Sequence, residues 1–229
     1  MTSRIIFLPT DKTDSNLYKE QAIDFQWVPG LAISQGRKSV INLHDAAKLK
    51  SNLQSILEIS TRSQSNLGVT LSAFNLQISI EGRRFPVEAV YQSSKIFQNG
   101  GPFYDLISAT SLESKVDTRL KSSGELVGFR FESQNWPITS SPNFYDYLYI
   151  RALLETSERS KLLDYDAFSD IAYNQTSSSQ VKGKSFNCQA RSAAIYVSLS
   201  KRFEETELLE ILKSKALEVR QTSNQLGLF

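Results

Sequence analysis

The stretch "LQISIEGRRFPVEAVYQSSKIFQNGGP" (residues 76–102) contains a change of period, and that change sets the fold class. Leu76, Ile78 and Ile80 alternate with Gln77, Ser79 and Glu81, the pattern of a half-buried strand, and Gly82 marks a turn. Past Pro86 the alternation stops. The spacing predicts a helix from Val87 to Gln98, with "NGGP" at 99–102 ending it. On such a helix Glu88, Gln92 and Lys95, four and three residues apart, fall on one face, because seven residues turn about 700°. Val90, Ile96 and Phe97 are then directed largely elsewhere, toward a core. A carboxylate, an amide and an amine in one line suit either a solvated helix face or a reactive site, and spacing alone leaves both open.

Working outward, residues 1–42 read as extended, with "RIIFLP", "DFQWVPGLAIS" and "KSVINL" as short apolar runs. Helical spacing is expected at Ala46, Leu49, Leu53, Ile56 and Leu57, with "STRSQSN" (60–66) as a polar boundary. Downstream of Val87 the signals are mostly helical. Thr110 followed by Glu113 is a capping-box pattern. Ser141 is the expected cap of the next helix, with Pro142 at its first position. "AFSDIAYNQTSSSQVKGKSFN" reads as a short helix and a basic loop, and the last two helices are expected in "QARSAAIYVSLSKRF" and "TELLEILKSKALEVR". The expectation is a helix-rich α+β fold with a small antiparallel sheet from the N-terminal half. Residues 1–66 are expected to form an N-terminal extension packed on the main domain of residues 67–229.

Composition narrows the chemistry. One cysteine, Cys188, excludes a disulfide framework and a cysteine-rich zinc site, and points to a reducing, cytoplasmic compartment. One histidine, His44, leaves no room for a histidine-rich metal site. His44 reads as a capping or surface residue at a helix start, so reaction chemistry falls to carboxylates, lysines, tyrosines and amides. Neither a metal nor a cofactor is expected. No run of about 18 apolar residues predicts a membrane span. A net charge of +2 argues only weakly for nucleic acid.

Taken together, Gly82, Phe85, Pro86, Glu88, Gln92 and Lys95 resemble the signature of the NADAR family of ADP-ribose-related N-glycosidases. Ile96 stands between Lys95 and Phe97, and Ala89 stands where the family commonly has His. "LSAF" (71–74) is similar to the family's F-S-N-F, with Ala73 for Asn and Asn75 beside it. "KLLDYDAFSDIAYN" supplies Asp170, with Tyr173 for the usual Trp, and "FNCQARSAAIYVSL" resembles the final Asn-containing turn and helix. "WVPGLAISQGRKSVINLH" resembles the subgroup paired with DarT toxins.

The resemblance implies an antitoxin that removes ADP-ribose from guanine bases of nucleic acid, with a DarT-type toxin as its counterpart. The alternatives are an N-glycosidase on ribosylamino intermediates of riboflavin synthesis and a non-catalytic, toxin-binding antitoxin. The implied catalytic residues are Glu88, Lys95 and Asp170. Ser72, Phe74, Asn75, Gln92, Asn187 and Arg191 are the implied substrate contacts, with Trp136 and Tyr145 as stacking surfaces and Asp146 as a buried hydrogen-bonding group.

Overall fold

Hairpins, short strands and helices alternate along the described residues. They are β1 (Thr2–Pro9), β2 (Tyr18–Phe25), α1 (Ile33–Ser51), β3 (Ile56–Glu58), α2 (Asn66–Thr70), β4 (Gln77–Ile80), β5 (Arg83–Pro86), α3 (Val87–Ser93) and β6 (Lys95–Phe97). Then come α4 (Ser111–Val116), α5 (Arg119–Ser122), β7 (Leu126–Phe131), β8 (Gln134–Trp136), α6 (Phe144–Leu154), β9 (Ala167–Ser169), α7 (Gln189–Ser200) and α8 (Leu208–Asn224). The computed structural model describes residues 2–138, 143–173 and 187–224, with 218–224 described by backbone alone. The mixed α+β class matches the sequence reading. Among the described residues the strands form three sheets rather than one, with orders β2-β1-β9-β3, β4-β5 and β6-β7-β8.

The chain gathers into two units. The first comprises Met1–Ser72, Thr156–Lys182 and Cys188–Phe203. The expected 1–66 segment gives this unit β1, β2, α1 and β3. β1 pairs antiparallel with β2 along its full length and with β9 at Ile6 and Phe7, while β3 and β9 run parallel. Ile6, Ile23 and Phe25 from the sheet meet Val40, Leu43 and Ala47 of α1, with Ala167 and Ile171, in one apolar core. "KSVINL" is therefore helical, not extended, and the helix lies earlier than expected. Its buried stripe is Gly36, Ser39, Val40, Leu43 and Ala47, whereas Leu49 is exposed. Ile56 and Leu57, expected on the helix, belong to a strand, and "AFS" is a strand rather than a short helix. Runs of three or four apolar residues have no period long enough to separate strand from helix, so partner strands decide them.

The second unit comprises Ala73–Glu155, Gly183–Asn187 and Glu204–Phe229. β4 and β5 form a two-residue hairpin at Glu81 and Gly82, both with positive φ (50° and 75°), as a type I′ turn requires. The β7–β8 hairpin places Glu132 and Ser133 at positive φ (46° and 63°) without a glycine. α6 is capped by Asn143, whose Oδ1 accepts from the backbone of Tyr145 and Asp146. The expected cap, Ser141, and Pro142 lie outside the described residues. The Thr110–Glu113 capping box is formed at the start of α4. Among the described residues no helix is long and apolar enough to cross a membrane.

Candidate functional site

α3 is shorter than its spacing suggests. Ser93 and Ser94 both turn their hydroxyls back onto the carbonyl of Val90, at 2.9 and 2.7 Å. Serines that bond the preceding turn compete with the helix ladder and favour its end. The chain leaves the helix after Ser94 and enters β6, where Lys95 pairs with Phe129 of β7. Lys95 is thus not on the helical stripe, contrary to the expected Val87–Gln98 helix. Its amine reaches the site from a strand and lies 4.8 Å from the centre of the Tyr91 ring. A short helix leading straight into a strand still brings the three residues together, by a different route.

The face carrying Glu88 is not a solvated one. All seven residues of α3 are buried, and Glu88 and Gln92 are 2% and 4% exposed. Backbone bonds from Val87 N–H to the Leu76 carbonyl and from Glu88 N–H to the Ala73 carbonyl, both 2.9 Å, fix the start of the helix. Gln92 Nε2 donates to Glu88 Oε1 at 2.8 Å. Gln92 Oε1 is buried and, among the described residues, accepts no hydrogen bond. Leaving a buried acceptor unpaired costs about 1–3 kcal/mol. Burial pulls the Lys95 amine down to about 8, opposed by the negative charge of Glu88 and assisted by the positive charge of Lys115. The amine is therefore partly uncharged at mildly alkaline pH, as a nucleophilic lysine requires.

Sequence reading missed Lys115. It projects from α4, whose start is fastened to the loop before β4 by a bond from Ser111 Oγ to the Phe74 carbonyl at 2.9 Å. Its Nζ stands 4.0 Å from Glu88 Oε1 and 4.9 Å from the centre of the Phe74 ring. The capping box at Thr110 located α4 in the sequence. Nothing in the sequence showed that this helix packs against α3.

The remaining expected residues are spread more widely. Phe74 is in the site, beneath Lys115, and Asn75 beside it is exposed. Trp136 is 3% exposed and packs on Phe144 and Tyr147, with ring centres 5.3 and 4.6 Å away. Tyr145 meets Tyr91 edge-on at 5.0 Å. Both aromatics thus belong to the packed ring cluster behind α3. Asp146 is fully buried and accepts from the Asn143 backbone N–H at 2.9 Å, closing the cap of α6. Asn187, two residues before α7 in sequence, is half-buried, and Lys182 and Lys184 of the expected basic loop lie outside the described residues.

Ser72, Asp170 and Arg191 belong to the first unit. Ser72 Oγ donates to the Val69 carbonyl at 2.8 Å, and Arg191 is 4% exposed on α7. Asp170 accepts from the Ala172 backbone N–H and from Gln189 Nε2 at 3.1 and 3.2 Å. Next to it lies a polar network absent from the sequence reading. Glu58, 2% exposed, accepts from Ser60 Oγ at 2.7 Å, from Ile171 N–H at 2.9 Å and from Ser169 Oγ at 2.5 Å. His44 Nε2 sits 2.8 Å from the same Ser169 hydroxyl. His44 is therefore a partly buried member of this network rather than a capping or surface residue. Burial, with the charge of Asp170, pushes Glu58 up to about 7, and burial, with the charge of Lys48, pulls His44 down to about 4.

Among the described residues no group of three or more His, Cys, Asp or Glu could hold a metal ion. No curated protein matches the chain. The model of the DarT1-associated NADAR antitoxins matches residues 2–224, nearly the whole sequence, and the chain belongs to that family.

Proposed function

We propose that this antitoxin is an N-glycosidase that removes ADP-ribose from modified guanine bases of nucleic acid, reversing the product of a DarT-type ADP-ribosyltransferase in the cytoplasm. The observation that carries the reading is the buried Glu88 carboxylate, oriented by Gln92 at 2.8 Å and flanked by the amine of Lys95. Cleaving the bond between ribose C1 and a guanine amine requires a proton on the leaving nitrogen and relief of positive charge at C1. Glu88, protonated, donates that proton; ionised, it faces the developing charge. The orphaned Gln92 Oε1 suits an N–H of the base.

Lys95 has two roles open to it. As an ammonium it anchors a hydroxyl or phosphate. As a free amine it attacks C1 of the ring-opened imine form of the glycoside. The adduct expels the guanine amine with a proton from Glu88 and leaves a Schiff base, which water hydrolyses to free ADP-ribose and the lysine amine. Asp170 is the candidate second carboxylate. Ser72, Phe74, Asn75, Asn187 and Arg191 are candidate substrate residues, whereas Trp136, Tyr145 and Asp146 would act through packing and capping rather than by direct contact. No metal or cofactor is invoked.

The test is incubation with ADP-ribosylated oligonucleotides and detection of released ADP-ribose. Borohydride added during turnover distinguishes the two lysine roles. ADP-ribose trapped on the peptide holding Lys95, and not in Lys95→Arg, identifies the nucleophile. An unchanged oligonucleotide after incubation with folded protein overturns the glycosidase reading.

A further inference from the structure

We propose that Lys115 is an anion ligand of the site, holding a phosphoryl group of the substrate beside Glu88. The inference deepens the glycosidase reading and rests on it for the identity of the substrate. Lys115 is well placed for such a role. Its side chain is 53% exposed, whereas that of Glu88 is 2% exposed, so one end of the pair meets solvent and the other does not. At 4.0 Å the pair is an ion contact and not a hydrogen bond, since charge-assisted N–H···O bonds close to about 2.7–2.9 Å. Among the described residues no acceptor lies within hydrogen-bond distance of its Nζ.

The other acids of α4 and its end have partners elsewhere. Glu113 is held by the backbone N–H and hydroxyl of Thr110, at 2.9 and 2.7 Å. Asp117 is held by Arg119, at 2.9 Å to Nε. The Phe74 ring lies 4.9 Å from Nζ, so Glu88 is the acid that faces the ammonium and the ring covers another side of it. Glu88 lies 4.0 Å from the Lys115 amine and within electrostatic reach of Lys95, and when both amines are protonated the one carboxylate leaves an excess positive charge. A neutral nucleoside leaves that excess unmatched, whereas a phosphorylated ribose neutralises it. The phosphoryl group has two possible sources, the pyrophosphate of ADP-ribose and the backbone of the nucleic acid.

Calorimetric titration of the full chain and of Lys115→Ala, Lys115→Met and Lys115→Arg tests this, with ADP-ribose, an unmodified single-stranded oligonucleotide and adenosine as probes. Both neutral variants are expected to lose about tenfold or more in affinity for one anionic probe, with adenosine unaffected and Lys115→Arg partly restored. Loss confined to ADP-ribose assigns the pyrophosphate. Loss confined to the oligonucleotide, with a salt slope shallower by about 0.7, assigns the backbone phosphate. Glu88→Gln removes the competing carboxylate and is expected to tighten the same probe, but only where Lys115 is present. Wild-type affinity for both anionic probes in folded Lys115→Ala and Lys115→Met, or an equal loss for adenosine, overturns the proposal. Binding needs no turnover. A protein that binds ADP-ribose through Lys115 without cleaving it refutes the glycosidase reading alone.

Discussion

At Glu88 the protein keeps a carboxylate out of water and gives one of its oxygens an amide partner, an arrangement costly to maintain for stability alone. Glu88→Gln keeps an acceptor for Gln92 Nε2 but cannot deliver a carboxyl proton. It is expected to lower the rate of ADP-ribose release by about 10²–10⁴-fold with little change in melting temperature. Lys95→Ala is expected to lose most activity in the same assay. Full activity in either folded variant returns that residue to a packing role. The second residue-scale prediction concerns Glu58 and His44. Glu58 is raised, so its folded form holds a proton that the unfolded chain releases above its ordinary pKa, and stability falls as pH rises toward about 7. His44 is lowered to about 4, so the unfolded chain takes up a proton that the fold refuses, and stability falls as pH drops below about 6.5. Between about pH 4.5 and 6.5 the two slopes oppose, each at most about 1.4 kcal/mol per pH unit. Glu58→Gln removes one of them. Its urea-unfolding free energy is expected to rise with pH across that window more steeply than that of the wild type, and parallel curves would contradict the assignment.

Among the elements, the caps and tight turns were the most legible and short apolar runs the least. Thr110 with Glu113 announced α4, because a capping box is a local exchange of hydrogen bonds visible in four residues. The cap of α6 is Asn143, two residues past the expected Ser141, and its side chain accepts two backbone N–H groups of the helix. Asn143→Ala is expected to cost about 1–2 kcal/mol in chemical denaturation. The β7–β8 turn holds Ser133 at φ 63°, where a side chain is disfavoured. Glu132 beside it is clasped by Arg151 at 2.7 and 2.9 Å and is best left alone. Ser133→Gly is expected to stabilise by about 0.5–1 kcal/mol, the relief of the left-handed backbone exceeding the added freedom of the unfolded chain. A destabilised variant would mean that the Ser133 side chain makes a compensating contact.

For the molecule as a whole, chain order and spatial order part company. β9, from residues 167–169, lies between β1 and β3 in the sheet order, so residues 1–66 lack a central strand of their own sheet. A fragment of residues 1–66 is expected to be unfolded by circular dichroism and amide exchange, and a cooperative melt from that fragment would refute this. What depends on near neighbours is legible in the residues themselves: the strand β4 with its turn at Gly82, the α4 cap and the two last helices. These rest on hydrogen bonds and periodicities spanning a few residues. Packing between segments distant in sequence settles whether the Glu88 face meets water or protein, where α3 gives way to β6, and which side chains join the polar groups. Lys115 beside Glu88, and His44 with Ser169 beside Glu58, are brought together by helix packing and strand pairing. Such contacts arise from the packing of whole apolar surfaces, and no local spacing encodes them.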